Sequence, residues 1–162
     1  MSPEVVRRIA IVGAGAVGGY YGGRLSTVGE DVSFLVRSGL ADLRSEGLRV
    51  VSPEGDFHLA TPQVFGSSEE IGPVDLVIVA WKATANGFYQ EAISPLLHET
   101  TVILTLQNGL GNTECLQCCS THFTVGPVSF GDMEPAVKYR PGQPEGFVRG
   151  IPGVHQFRDF LH

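Results

Sequence analysis

Gly13, Gly15 and Gly18 stand at the G-x-G-x-x-G spacing, between the apolar run Ile9 to Val12 and residues able to form a helix. That order suits the binding of a pyrophosphate. Gly13 permits a tight turn out of a strand, Gly15 has no Cβ to obstruct the phosphates, and Gly18 lets the next helix pack close to the sheet. The unpaired N–H groups at the helix start, from about Ala14 through Ala16 to Val17, then face the phosphates with the positive end of the helix dipole behind them. A Gly-rich turn of purely structural purpose is the alternative. The strand before it and the helix after it are the context that dinucleotide binding requires.

Residues at three further strand ends sit where chemistry is expected. Arg37 and Ser38 end the second apolar run, about 20 residues beyond the glycines, where NAD binders usually carry Asp or Glu for the ribose 2′-hydroxyl. A cation there attracts a 2′-phosphate, and the absent carboxylate removes the repulsion that would reject one, so the pattern favours NADP(H). A solvated arginine at a strand end is the plainer alternative. Lys82 follows VIVAW and is placed either to touch cofactor or substrate oxygens or simply to begin a helix. Asn108 follows TVILTL and Gln107; its amide can bond a ribose hydroxyl or a substrate oxygen, and it can equally be a turn residue in N-G-L-G-N.

The elements that position these residues alternate strand and helix. A first helix is expected over 15–28, stopped by Gly29 at C′, with Gly19, Gly22 and Gly23 leaving one side small enough to lie against a sheet. Asp31 to Arg37 reads as the second strand and 39–46 as the second helix. Leu48 to Val51 and Phe57 to Ala60 flank the turn-rich Pro53-Glu54-Gly55-Asp56 and read as a hairpin. Val74 to Ala80 and Thr101 to Leu106 are continuous apolar strands of the doubly buried kind, separated by a helix over 83–97. The expected fold is α/β: a Rossmann-type, doubly wound, mostly parallel sheet with helices on both faces.

Bulk properties narrow the function classes. The 162 residues suffice for a packed core, and a hydrophobic share of 43% argues against wholesale disorder. A net charge of −6 without a lysine/arginine cluster argues against nucleic acid or an anionic membrane as partner. No apolar run approaches the ~20 residues that span a bilayer, and MSPEVVRR lacks the apolar core of a signal peptide. Cys115, Cys118 and Cys119, odd in number and local, suit a reducing cytoplasm. With His122 they fall along one helical face, but such a face rarely closes a tetrahedral zinc shell; core packing is favoured, and no metal site is expected.

The motifs GAGAVGGYYGGRL, FLVR, DLVIVAWKA and LTLQNGLGN, in that order, resemble the cofactor-binding half of the ketopantoate reductase (2-dehydropantoate 2-reductase) family. The resemblance covers about 7–116, with a weaker continuation from Val125 to about Gly150. It implies that Gly13 to Gly18 hold the NADPH pyrophosphate and Arg37 the adenosine 2′-phosphate. It implies further that Lys82 contacts the cofactor, and that Asn108 contacts both the cofactor and the small 2-oxoacid substrate. Residues 1–150 are then expected to be an NADP-binding domain and 151–162 a short tail.

Family members continue into a helical domain that supplies a lysine general acid and a substrate-binding glutamate, whereas this sequence stops at His162. Neither Lys82 nor Lys138 takes over that role, so no catalytic residue is assigned. The expected function is NADPH-dependent reduction of 2-dehydropantoate to pantoate, on the route to pantothenate, with poor turnover by this piece alone. Other readings are a non-catalytic NADP(H)-binding module or remnant, one subunit of a split reductase, or a different Rossmann-type binder of FAD or S-adenosylmethionine. Uncovered apolar surface where a second domain would dock leads to an expectation of self-association, or of a partner chain that supplies that domain.

Overall fold

The computed structural model describes residues 7–107 and 125–127. Asn108, the cysteines, His122 and the 151–162 tail lie outside the described residues. The main sheet has six strands, all paired in parallel: β1 (Arg8–Val12), β2 (Asp31–Leu35), β5 (Gln63–Phe65), β6 (Leu76–Val79), β7 (Val102–Thr105) and β8 (Val125–Pro127). Their spatial order, β5-β2-β1-β6-β7-β8, is the 3-2-1-4-5-6 order of a dinucleotide-binding sheet once the strands of this sheet alone are counted. A separate antiparallel hairpin joins β3 (Leu48–Val50) and β4 (Phe57–Leu59), as the turn-rich tetrapeptide predicts.

Register explains why the central strands are apolar throughout. Ile9, Ile11, Val32, Phe34, Leu76 and Ile78 point to one face, and Ala10, Val12, Leu35, Val77 and Val79 to the other. The first face is covered by helix α1 (Ala16–Thr27); the second packs on Ile71, Tyr89, Ile93 and Leu96. A strand buried on both faces has no polar side to show, so alternation disappears from its sequence.

The glycines of α1 serve two surfaces rather than one. A Cβ on Gly22 would meet Phe34 and Ile11 of the sheet, whereas one on Gly23 would meet Phe57 and one on Gly19 would reach Leu48, both of the hairpin. Positions four apart share a helix face, so Gly18 and Gly22 lie toward the sheet while Gly19 and Gly23 lie toward the hairpin. The helix is therefore sandwiched, and the sequence had suggested contact on one side only.

Two other expectations need correction. The single helix over 83–97 is three pieces: a 3₁₀ stretch Ala83–Phe88, α4 (Tyr89–Ile93) and a 3₁₀ turn Ser94–Leu96. Gly87 lowers helix propensity inside the run, and Pro95 removes a backbone donor near its end. Strand β5 and helix α3 (Ser68–Ile71) were also not anticipated. Each is only three or four residues long, below the length at which periodicity carries a signal. Helix α2 (Leu40–Glu46) and the Gly29 C′ position, at φ +96°, agree with the sequence reading.

Candidate functional site

The strands of the main sheet end flush. Val12 lies opposite both Leu35 and Val79, Leu35 lies opposite Phe65, and Val79 lies opposite Thr105. Whatever follows each strand therefore emerges at one carboxyl edge: Gly13, Val36-Arg37, Gly66, Ala80-Trp81-Lys82 and Leu106-Gln107. The chain goes from β1 to β2 on one side and later to β6 on the other, so the strand order reverses at β1. A crevice at such a switch point is where open α/β sheets bind ligands. A cleft of about 710 Å³ lies there, lined by Gly13 to Val17, Arg37, Ser38, Trp81 and Lys82, among others.

The three motif glycines are glycine for three different reasons. Gly13 adopts φ +100°, and a Cβ there would stand 2.9 Å from the backbone of Trp81. Its N–H donates to the Leu35 carbonyl at 3.1 Å, which ties the turn to β2. A Cβ on Gly18 would overlap the Gly13 carbonyl oxygen and crowd Ile11 and Ala80, so this glycine brings α1 down onto the sheet. Gly15 is different. Its φ of −72° is open to any residue, and a Cβ there would meet no atom within 4 Å. Nothing in the protein requires a glycine at that position; the space in front of it is the cleft.

Electrostatics at the same spot favour an anion. Gly15 is the N-cap of α1, no side chain caps the helix, and its first turn has no acidic residue. The carbonyl of Gly15 already accepts from Gly19 N–H at 2.7 Å, whereas the N–H groups of Ala16, Val17 and Gly18 precede the first intrahelical bond. Those donors carry the positive end of a 12-residue helix. A cleft with open donors and a bare Cα fits a pyrophosphate.

Arg37 and Lys82 are both exposed on the cleft lining, and among the described residues neither forms an ion pair. The Arg37 guanidinium carbon stands 5.1 Å from the centroid of the Phe88 ring, over its face. Lys82 comes after Ala80 and Trp81 at the end of β6, and its carbonyl accepts from Ala85 N–H at 2.9 Å to begin the 3₁₀ stretch. The structure thus brings Gly13, Ala14, Gly15, Ala16, Val17, Arg37 and Lys82 to one cleft, with Gly18 directly behind it.

Three features of this region are not apparent in the sequence. Phe88 and the carboxylates Glu69 and Glu91 also line the cleft. Gln107 joins three elements: its Nε2 donates to the Trp81 carbonyl at 3.0 Å, and its Oε1 accepts from the Tyr89 hydroxyl and, at 3.3 Å, from Thr105 Oγ1. The Trp81 and Tyr89 rings stack at 5.5 Å, so the end of β6, the end of β7 and α4 form one rigid corner. A polar residue after a strand was visible; its partners were not, because they lie 18 and 26 positions away. Gln107→Leu is expected to cost about 2 kcal/mol, since it removes the side-chain bonds that Gln107 makes to the Trp81 carbonyl, the Tyr89 hydroxyl and Thr105. Urea unfolding followed by circular dichroism measures it. Among the described residues no group of His, Cys, Asp or Glu is placed to hold a metal ion, and no helix is long and apolar enough to cross a membrane.

Comparison with known proteins agrees with this geometry. The family model described as "Ketopantoate reductase PanE/ApbA" matches residues 9–130. The chain is 39% identical over 108 residues to a 2-dehydropantoate 2-reductase from Nostoc sp., a match covering 67% of this chain and 34% of that protein. It is 42% identical over 110 residues to the uncharacterized oxidoreductase YkpB of Bacillus subtilis, covering 67% of this chain and 36% of that one. A crystal structure of 2-dehydropantoate 2-reductase from Geobacter metallireducens superposes with a TM-score of 0.67 at 43% identity, over 74% of this chain and 46% of that one. The chain therefore spans about a third of the length of these curated relatives. With four motifs in order, the dinucleotide-type sheet and the cleft at its switch point, the chain belongs to the ketopantoate reductase family.

Proposed function

We propose that this chain binds NADP(H) in the switch-point cleft and supplies the coenzyme-binding part of a reductase acting on 2-dehydropantoate. The single observation that carries the reading is Gly15, a glycine that neither its backbone angles nor its packing requires, at the open end of an uncapped helix. The N–H groups of Ala16 to Gly18 donate to the pyrophosphate, with Gly13 and Ala14 shaping the turn beneath it. Arg37 takes the ribose 2′-phosphate and Lys82 a further cofactor oxygen. Asn108, next in sequence after Gln107, offers its amide to the ribose and to the 2-oxoacid. The rigid corner around Gln107 holds the ends of β6 and β7 in place for both.

When bound, the coenzyme supplies a hydride equivalent to the ketone, and the oxygen must gain a proton to become the hydroxyl of pantoate. The stretch matched is about a third of each relative's length, and the family resemblance puts the proton-donating lysine outside it. Turnover by these 162 residues alone is accordingly expected to be far below that of a full-length relative, while coenzyme binding persists. Calorimetric titration with NADPH tests the binding. Saturable heat and a thermal shift are expected; a folded sample giving neither at near-millimolar NADPH would overturn the assignment. NADPH oxidation in the presence of 2-dehydropantoate tests the turnover, and a full-length rate would contradict it.

A further inference from the structure

Phe88 is the unusual residue of the cleft. It is 50% exposed, one of three large apolar side chains so exposed among the described residues, and of those three only Phe88 lines the cleft. Exposure of an aromatic ring leaves apolar area in water, and here the ring also makes a specific contact. Its contact is with Arg37, which comes from the opposite wall: Arg37 follows β2, and Phe88 ends the 3₁₀ stretch after β6.

The choice of partner matters for what the arginine can do. Glu69 and Glu91 line the same cleft, yet Arg37 pairs with neither. An ion pair would neutralise the guanidinium and occupy its planar fork of donors. Contact with an aromatic face holds the cation by its positive charge and leaves it without an oxygen partner. Among the described residues, Arg37 donates no hydrogen bond from its side chain. A guanidinium held in that way over a cleft is ready to receive a dianionic phosphate.

We propose that Phe88 is a positioning residue for coenzyme specificity: its ring holds the Arg37 guanidinium across the cleft mouth, clear of Glu69 and Glu91, where it meets a ribose 2′-phosphate. The inference rests on the NADP(H) reading and adds to it a residue that need not touch the phosphate. A contact of this kind at an exposed site is worth a factor of about 2–5 in affinity, and that factor should appear only in ligands that bear the 2′-phosphate.

The test compares the wild-type chain with Phe88→Leu, Phe88→Trp and Phe88→Ala in titrations with NADPH, NADH, adenosine 2′,5′-bisphosphate and AMP. Phe88→Leu, which keeps apolar bulk but has no aromatic face, should weaken NADPH and the bisphosphate by about 2–5-fold and leave NADH and AMP unchanged. Phe88→Trp should retain wild-type preference, and thermal midpoints should stay close together because the ring is half exposed. Equal weakening of all four ligands by Phe88→Leu would overturn the proposal and make the ring an adenine contact instead. So would an unchanged NADPH/NADH ratio in both Phe88→Leu and Phe88→Ala. Failure of the wild-type chain to bind NADPH at all would overturn the coenzyme reading itself, which separates the two failures.

Discussion

Gly15→Ala is expected to weaken NADPH by roughly 100-fold or more while moving the thermal midpoint by no more than about 2 °C. The methyl group would project into the open cleft, where it meets no protein atom, so folding is unaffected. It would hold a pyrophosphate away from the N–H groups of Ala16 to Gly18, and hydrogen bonds to a charged group contribute about 1.5–3 kcal/mol each. The neighbouring glycines provide the contrast. Gly13→Ala forces a φ of +100° on an L-residue and drives a Cβ to 2.9 Å from the Trp81 backbone. Gly18→Ala presses a Cβ into the Gly13 carbonyl. Strain and overpacking together put both in the range of about 3–5 kcal/mol destabilising. Paired thermal melts and NADPH titrations of the three variants check this. An unaltered NADPH affinity in Gly15→Ala would remove the main support for a phosphate at this turn.

The second large effect concerns charge. Arg37→Asp is expected to weaken NADPH by about 100-fold or more and NADH by only a few-fold, so that the coenzyme preference reverses. The substitution removes a charge-assisted, fork-shaped donor and places a carboxylate against the 2′-phosphate, while a ribose 2′-hydroxyl gains an acceptor. Glu69 and Glu91 already line this cleft, so the added carboxylate would make its lining more negative. Equal losses for the two coenzymes in parallel fluorescence titrations would show that Arg37 lies away from the 2′ position.

Much of the site could be read from local pattern because its parts are local. The turn from Gly13 to Gly18 is built from consecutive residues whose backbone needs are imposed by the strand before and the helix after. The same holds for Arg37 and Lys82, which follow apolar runs that could only be buried strands. The helix expected over 83–97 failed for a related reason: the stretch reads as one element in the sequence, while Gly87 and Pro95 together with packing on the sheet broke it into three. Strand β5 has one buried residue, Val64, between two that are not, too little pattern to distinguish from a loop.

Residue order alone established the fold class, from elements that alternate along the chain, and the glycine-rich turn and the cationic residue at the end of β2, each from spacing within about 20 positions. Tertiary structure alone decided which wall faces which. It set Phe88 beneath Arg37 from across the sheet, joined Gln107 to Trp81 and Tyr89, and left the Cα of Gly15 facing empty space. Contacts between segments brought together by folding have no fixed offset in the chain, so periodicity and motif spacing hold no record of them. Only the parallel stacking of strands at a common edge turns those separate residues into one cleft.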